Sequence, residues 1–165
     1  MAVRDVSLFI LYTSSGHILL QHRTDDAFLL PGYWAFFGGG IEQGENPTEA
    51  LKREIREELS YLVQNPKFLL AQKVRDEEND NTKYVFVEQY QDQPLQLGEG
   101  QAMGWFSPDE TLGLKMNDHD RFVVEQVRDY FNRLRHERQR GFSCSPCCVD
   151  CGSRAAVRNH LRRTD

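Results

Sequence analysis

Gly38-Gly39-Gly40-Ile41-Glu42-Gln43-Gly44-Glu45-Asn46-Pro47-Thr48-Glu49-Ala50-Leu51-Lys52-Arg53-Glu54-Ile55-Arg56-Glu57-Glu58-Leu59 is the stretch that organises the reading of this chain. A glycine run leads into a strong helix start. Asn46 is placed to cap it, Pro47 suits the first helical position, and Glu49 completes a capping-box pattern. The helix is expected to continue to about Leu59 or Ser60. At about 100° per residue, Glu54, Glu57 and Glu58 cover an arc of roughly 100° on its surface. They border the apolar stripe of Leu51, Ile55, Leu59 and Leu62 instead of opposing it.

Like charges at 54 and 58 repel across one turn, so an isolated helix gains nothing from them. A hard cation such as Mg²⁺ relieves that repulsion and favours carboxylate, water and phosphate oxygens. The plainer alternative is a solvated acidic face with Glu49–Arg53 and Arg53–Glu57 pairs. That alternative requires neither the glycines nor Glu45. Three consecutive glycines let a ligand approach the backbone closely, or form a bulge or bend. Loop and helix together point to a site for divalent metal and phosphate.

Outward from this stretch, Val3–Tyr12 alternates as a strand, Ser14-Ser15-Gly16-His17 turns the chain, and Ile18–His22 returns it. Trp34–Phe37 reads as a short aromatic strand running into the glycines. Phe68–Val74 and Tyr84–Tyr90 read as strands around the polar turn Asp76–Asn81, and Met103–Phe106 as another. Ser107-Pro108-Asp109-Glu110 repeats the capping logic for a short helical turn. From Asp118 to Arg138, Phe122, Val123, Val127, Tyr130, Phe131 and Leu134 follow helical spacing. Mixed strands with two substantial helices imply an α/β or α+β sandwich.

The bounds are consistent with this. One domain's worth of chain, 165 residues, carries 39% hydrophobic and 27% charged residues and a net charge of −5. That balance lacks the basic excess of a nucleic-acid-binding surface. No apolar run approaches the length of a membrane span, and no small-residue cleavage site follows the N-terminus. A cytoplasmic protein is expected.

All four cysteines fall at Cys144, Cys147, Cys148 and Cys151, so the preceding residues do not depend on disulfides. Residues 1–140 hold 16 basic against 23 acidic residues, and residues 141–165 four Arg against two Asp. The expected organisation is an acidic folded domain over 1–140 and an appended, flexible Cys/Arg tail over 141–165. Two Cys-x-x-Cys pairs without a spacer suit a tetrahedral Zn²⁺ site poorly. Oxidation-prone thiols are the preferred reading, and a metal site completed by His160 or another chain the alternative.

The central stretch resembles the Nudix box: Gly, five residues, Glu, seven residues, Arg-Glu, an aliphatic, any residue, Glu-Glu, any residue, Gly, an aliphatic. Gly39, Glu45, Arg53, Glu54, Ile55, Glu57 and Glu58 match in register, while Ser60 stands for the usual Gly and Tyr61 for the aliphatic. The resemblance covers roughly residues 3–135 and implies the Nudix fold, a mixed β-sheet sandwiched between α-helices. It implies Mg²⁺ or Mn²⁺ held against a diphosphate by Glu54, Glu57 and Glu58, with the Gly38 carbonyl as a further ligand. Arg53 would orient the glutamates, and Glu45 would steady the loop–helix junction.

The general base would be Glu54 or Glu99. Glu99, in Gly98-Glu99-Gly100-Gln101, resembles a downstream acidic position of triphosphate-hydrolysing members and is a candidate metal ligand too; otherwise it is an exposed loop glutamate. Arg23, Phe36, Gly39, Gly40 and Asn117 are the expected substrate contacts, with Trp34, Phe36 and Phe37 equally able to serve the core. His119 is expected at a helix start and not in catalysis.

The favoured activity is hydrolysis of a nucleoside triphosphate to monophosphate and pyrophosphate, with removal of oxidised nucleotides as one role. A nucleoside diphosphate linked to a sugar or another group is the alternative substrate. A nucleotide-binding module without turnover is a third reading, disfavoured because the box glutamates are kept. The expected partner is a small-molecule nucleotide, without stable nucleic-acid or membrane binding, and a homodimer is open to the chain.

Overall fold

The computed structural model describes residues 4–75 and 80–141. The cysteine cluster at 144–151 and most of the expected tail lie outside them. Two compact units are distinguished, Met1–Phe131 and Asn132–Asp165. The first holds a seven-stranded mixed sheet, a helix and the start of a second helix. The described part of the other is the remainder of that second helix, Asp118–Gly141 (α2), and its residues from Arg135 to Arg140 are exposed.

The strands are β1 (Val6–Tyr12), β2 (Ile18–His22), β3 (Trp34–Ala35), β4 (Phe37–Gly40), β5 (Lys67–Arg75), β6 (Asp80–Gln89) and β7 (Ala102–Phe106). The main path runs β3-β2-β1-β6-β5, with β4 paired to β1 and β7 to β2. β1 and β6 are parallel, in register from Val6–Lys83 to Tyr12–Gln89. The expected aromatic strand at 34–37 is two strands. Ala35 pairs with Gln21 of β2, whereas Phe37 pairs with Phe9 of β1, so the chain changes partner at Phe36.

Helix α1 (Pro47–Leu59) starts as its sequence dictates. The Asn46 side chain accepts from the Thr48 and Glu49 amides at 2.9 and 3.0 Å, and Glu49 accepts from the Asn46 amide at 2.9 Å. Glu49 is thereby committed to the cap and does not pair with Arg53. At the far end Ser60 adopts φ 52°, ψ 25°, the left-handed position that glycine takes without cost, and its amide returns to the Arg56 carbonyl. The two departures from the box thus lie where the helix stops. Tyr61, the other one, is fully buried and donates its hydroxyl to Glu88 at 2.9 Å.

One sheet face packs on α1 through Phe9, Leu11, Leu19, Phe37, Leu51, Ile55, Leu59, Tyr61 and Phe86. Each such buried side chain contributes about 1.5–3 kcal/mol, and truncating Ile55 to alanine would cost about 2–5 kcal/mol. Because side chains alternate along strands, Leu8, Ile10, Val85 and Val87 line the opposite face. The start of α2 lies on that side, where Asp120 meets Lys83 of β6. Val123 and Val127 of α2 are buried as expected, but Phe122 is 46% exposed and belongs to no apolar stripe. Ser107 and Glu110 do form the expected reciprocal cap, on a 3-10 turn at Glu110–Gly113.

Candidate metal and phosphate site

The glycines of β4 are required by what lies against them. Gly38 sits at φ 129°, where a side chain would run into the Ser7 carbonyl. A side chain on Gly39 would occupy the space of the Glu54 carboxylate, 2.5 Å from its Oε2. The α1 glutamates therefore reach the strand only because it carries no side chains.

Arg53 gathers the junction. Its Nε and one terminal nitrogen bind both Glu45 carboxylate oxygens at 2.8 Å, and that second nitrogen also reaches the Gly40 carbonyl at 3.1 Å. Its other nitrogen holds Glu54 at 2.6 Å and stands 4.0 Å from Glu57. Glu45 in turn accepts from the Glu42 amide, closing the loop before the helix. The Arg53 hydrogen bond, then that amide, hold the Glu45 carboxyl down at about 2. Arg53 is itself pushed above the usual guanidinium range by Glu45 and Glu54.

The three helix glutamates have different surroundings. Glu57 is 64% exposed, and Glu54 is half-buried beside Arg53. Glu58 is buried under β4, where its Oε2 accepts from the Gly38 amide at 2.8 Å. Burial pushes the Glu58 carboxyl up to about 7; the Gly38 amide opposes this, while the Glu54 and Glu99 carboxylates add to it. The buried Gln21 side chain also hydrogen-bonds Glu58.

Glu99 reaches this neighbourhood because its loop is clasped to the end of α1. The Gln96 and Gly98 amides donate to the Leu59 and Glu58 carbonyls at 3.0 and 2.7 Å. On the other side the Gln101 amide donates to the His22 carbonyl at 2.8 Å. Among the described residues no ready-made cluster of three acidic, histidine or cysteine groups is gathered for a metal. Arg53 draws Glu54 aside and Gly38 holds Glu58. The donor chemistry nevertheless suits a hard divalent cation: one helix and one loop supply carboxylates, and the buried Glu58 feels the charges of Glu54 and Glu99.

The expected substrate contacts are placed less uniformly. Arg23 is half-buried and donates from Nε to the Leu29 carbonyl at 2.8 Å. Asn117 caps α2, accepting from the Asp120 amide and donating to its carboxylate, both at 2.8 Å. His119 falls in the first turn of α2, as expected of it. Phe36 is 3% exposed, at the point where the chain changes partner from β2 to β1, which is the core placement that the sequence left open for it. Trp34 remains half-exposed, stacked on His22 with ring centres 4.8 Å apart.

Sequence reasoning missed Gln21, Lys83 and Asp120. Asp120 is buried and 3.8 Å from the Lys83 ammonium, and burial raises its carboxyl against the pull of Lys83. In the sequence it is one more acidic residue in a helix's first turn, where such residues are ordinary.

The chain matches the family described as NUDIX domain over residues 1–127. It is 53% identical over 49 residues to a protein named nucleoside triphosphatase NudI from Escherichia coli O139:H28. That match covers 30% of this chain and spans about a third, 35%, of the relative. The MutT protein of Methanosarcina mazei Go1 superposes with a TM-score of 0.69 at 22% identity, covering 79% of this chain and 96% of that one. The NUDIX domain of Shewanella oneidensis NrtR, solved with ADP ribose, superposes with a TM-score of 0.64 at 18% identity, over 79% of this chain and 90% of that one.

Proposed function

The chain belongs to the NUDIX domain family, and from that premise we propose that it is a Nudix hydrolase that cleaves a nucleoside triphosphate to the monophosphate and pyrophosphate, oxidised nucleotides among its candidate substrates. The observation that carries the reading is Glu58: a carboxylate buried under a glycine strand, its ionisation opposed by burial and by Glu54 and Glu99. Such a group is retained at a cost to stability and suits a cation-loaded state.

Glu54, Glu57, Glu58 and Glu99, with the Gly38 carbonyl, are the groups that would hold Mg²⁺ or Mn²⁺. Bound there, the cation would neutralise phosphate charge and make water a stronger nucleophile. Arg53 keeps the Glu54 carboxylate against β4 and, through Glu45, keeps the loop before α1 in place. Glu54 or Glu99 would take the proton from the attacking water. Gly39 and Gly40 offer a strand without side chains along which a polyphosphate could lie.

The short NudI match favours triphosphates. The NrtR domain bound to ADP ribose favours the alternative, a nucleoside diphosphate linked to another group. Among the described residues no helix is long and apolar enough to cross a membrane, and we place the catalytic domain within residues 1–140 of a cytoplasmic protein. Product analysis with Mg²⁺ over normal and oxidised triphosphates, nucleotide sugars and ADP-ribose tests the reading. Monophosphate plus pyrophosphate from triphosphates is expected. Cleavage confined to diphosphate-linked compounds would overturn it in favour of the alternative, and nucleotide binding without product would leave a binding module.

A further inference from the structure

Glu99 lies between two glycines, and backbone lies against both of them. A side chain on Gly98 would meet the Glu57 carbonyl at 2.5 Å, and one on Gly100, which sits at φ 86°, the His22 carbonyl at 2.9 Å. The loop is therefore pressed against the end of α1 on one side of Glu99 and against the end of β2 on the other. The two sides are held differently. Before Glu99, Leu95 and Leu97 pack against the core beside α1, and the Gln96 and Gly98 amides bond the Leu59 and Glu58 carbonyls. Between Glu99 and the start of β7, the attachment is made by Gln101.

Gln101 stands one step beyond the last β2–β7 pair, His22–Ala102. Its amide donates to the His22 carbonyl at 2.8 Å. Its side chain reaches further along the chain that leaves β2: Nε2 donates to the Arg23 carbonyl at 2.9 Å and to Asp25 Oδ1 at 3.3 Å. A primary carboxamide has two N–H donors, and both are used here. The opposite orientation of the amide would set oxygen against two oxygens, so the network fixes it. The residue is exposed, so no core packing depends on this side chain.

The two segments it joins differ in how firmly they are held. The turn after β2 is tied to itself, with the Arg23 amide on the Tyr33 carbonyl at 2.9 Å, the Gly32 amide on the Thr24 carbonyl at 3.1 Å and Arg23 Nε on the Leu29 carbonyl at 2.8 Å. Residues 90–101, by contrast, belong to no helix or strand. Segments with few backbone bonds open first. The turn is thus the fixed post, and the Glu99 loop is what would move if the clasp were cut.

We propose that Gln101 is a positioning residue: its side-chain amide, clasping the Arg23 carbonyl and Asp25, holds Glu99 at the end of α1 and in register with Arg23. Gln101 itself acts through Glu99 and not on the nucleotide. Because the Arg23 turn keeps its own bonds when the clasp is cut, substrate binding should survive, and the step that uses Glu99 should suffer. This rests on the proposed role of Glu99, whereas the clasp itself is measurable without metal, nucleotide or turnover.

The test uses the full chain carrying Gln101→Leu or Gln101→Glu, which lose both donors, and Gln101→Lys, which keeps donors on a long side chain. Amide hydrogen exchange without metal or nucleotide reads the clasp, and kcat and KM on the nucleotide that the parent cleaves read its consequence. In the two donor-less variants the Gly98 and Gln101 amides are expected to exchange about 10-fold faster. Their kcat should fall about 10-fold, with KM within about 2-fold of the parent's and the melting temperature nearly unchanged. Gln101→Lys should recover most of both losses. In a Glu99→Gln background the further loss of kcat should vanish, since both changes act through one carboxylate. Unchanged exchange in both donor-less variants would overturn the inference, as would a raised KM in place of a lowered kcat, or a kcat loss that persists in full beside Glu99→Gln. Faster exchange in a chain that hydrolyses no nucleotide would uphold the clasp and refute the proposed activity.

Discussion

Arg53 and Glu45, eight residues apart and on either side of the α1 start, are joined by two parallel contacts of 2.8 Å. The same guanidinium holds Glu54 and the Gly40 carbonyl. Only a planar fork can serve these partners at once, whereas a lysine ammonium is a single point of charge. Arg53→Lys should therefore lower kcat by about 10–100-fold, as loss of a group that orients metal ligands does. The melting temperature should move little. Near-normal turnover in Arg53→Lys would show that Glu54 does not depend on this fork.

Glu58 links activity to pH-dependent stability. Its carboxyl is pushed up to about 7 from 4.5, so the folded metal-free protein binds more protons than the unfolded chain between those values. Metal-free stability is then highest near and below pH 4.5 as far as Glu58 is concerned, and is lost as pH rises toward 7, by about 3 kcal/mol. Glu58→Gln should remove that slope and melt higher than the parent at pH 8, while turnover falls by orders of magnitude. Mg²⁺ should raise the parent's melting temperature and not that of Glu58→Gln. Denaturant titrations from pH 5 to 8, with and without Mg²⁺, read all three.

Ser60 occupies a left-handed position, φ 52°, at the end of α1. Ser60→Gly should stabilise the fold by about 0.5–1 kcal/mol, because glycine meets no Cβ penalty there. Chemical denaturation measures it. A destabilised variant would mean that the serine side chain contributes more than its backbone conformation costs.

Gly98 stands where a Cβ would lie 2.5 Å from the Glu57 carbonyl, so the loop carrying Glu99 can touch the end of α1 only without a side chain. Gly98→Ala should lift that loop and, with Glu99 in its proposed role, reduce kcat about 10–100-fold, the effect of displacing a reacting group by roughly 1 Å. The loss should not add to that of Glu99→Gln, since both act through one carboxylate. Full additivity in the double variant would separate the loop's position from the role of Glu99.

Much of the fold was legible because its signals are local. The Asn46–Pro47–Glu49 cap and the paired Ser107–Glu110 turn need only neighbours along the chain and formed as read. Strands lie where Val3–Tyr12 and Tyr84–Tyr90 are expected, but as Val6–Tyr12 and Asp80–Gln89: β1 is buried on both faces and shows no alternation, and Asp80 and Asn81 of the expected turn belong to β6. The reading of Trp34–Phe37 as one strand failed because its division depends on a change of partner from β2 to β1. The choice for Phe36 between core and substrate stayed open in the sequence because a short aromatic run does not say which of its rings faces inward; in the structure Phe36 and Phe37 are both buried.

The sequence by itself determined the helix, its cap and the family to which they belong, since fixed spacing on a 3.6-residue period carries that information; that the glycines before it form a strand, Phe37–Gly40, came from the structure. Only the tertiary structure decided that Glu58 is buried while adjacent Glu57 is open to solvent. Only it brought the Glu99 loop to the end of α1 and set Lys83 beside Asp120. Burial and the field of distant charges depend on which strand covers which residue. That is settled by the path of the whole chain and not by spacing within any segment.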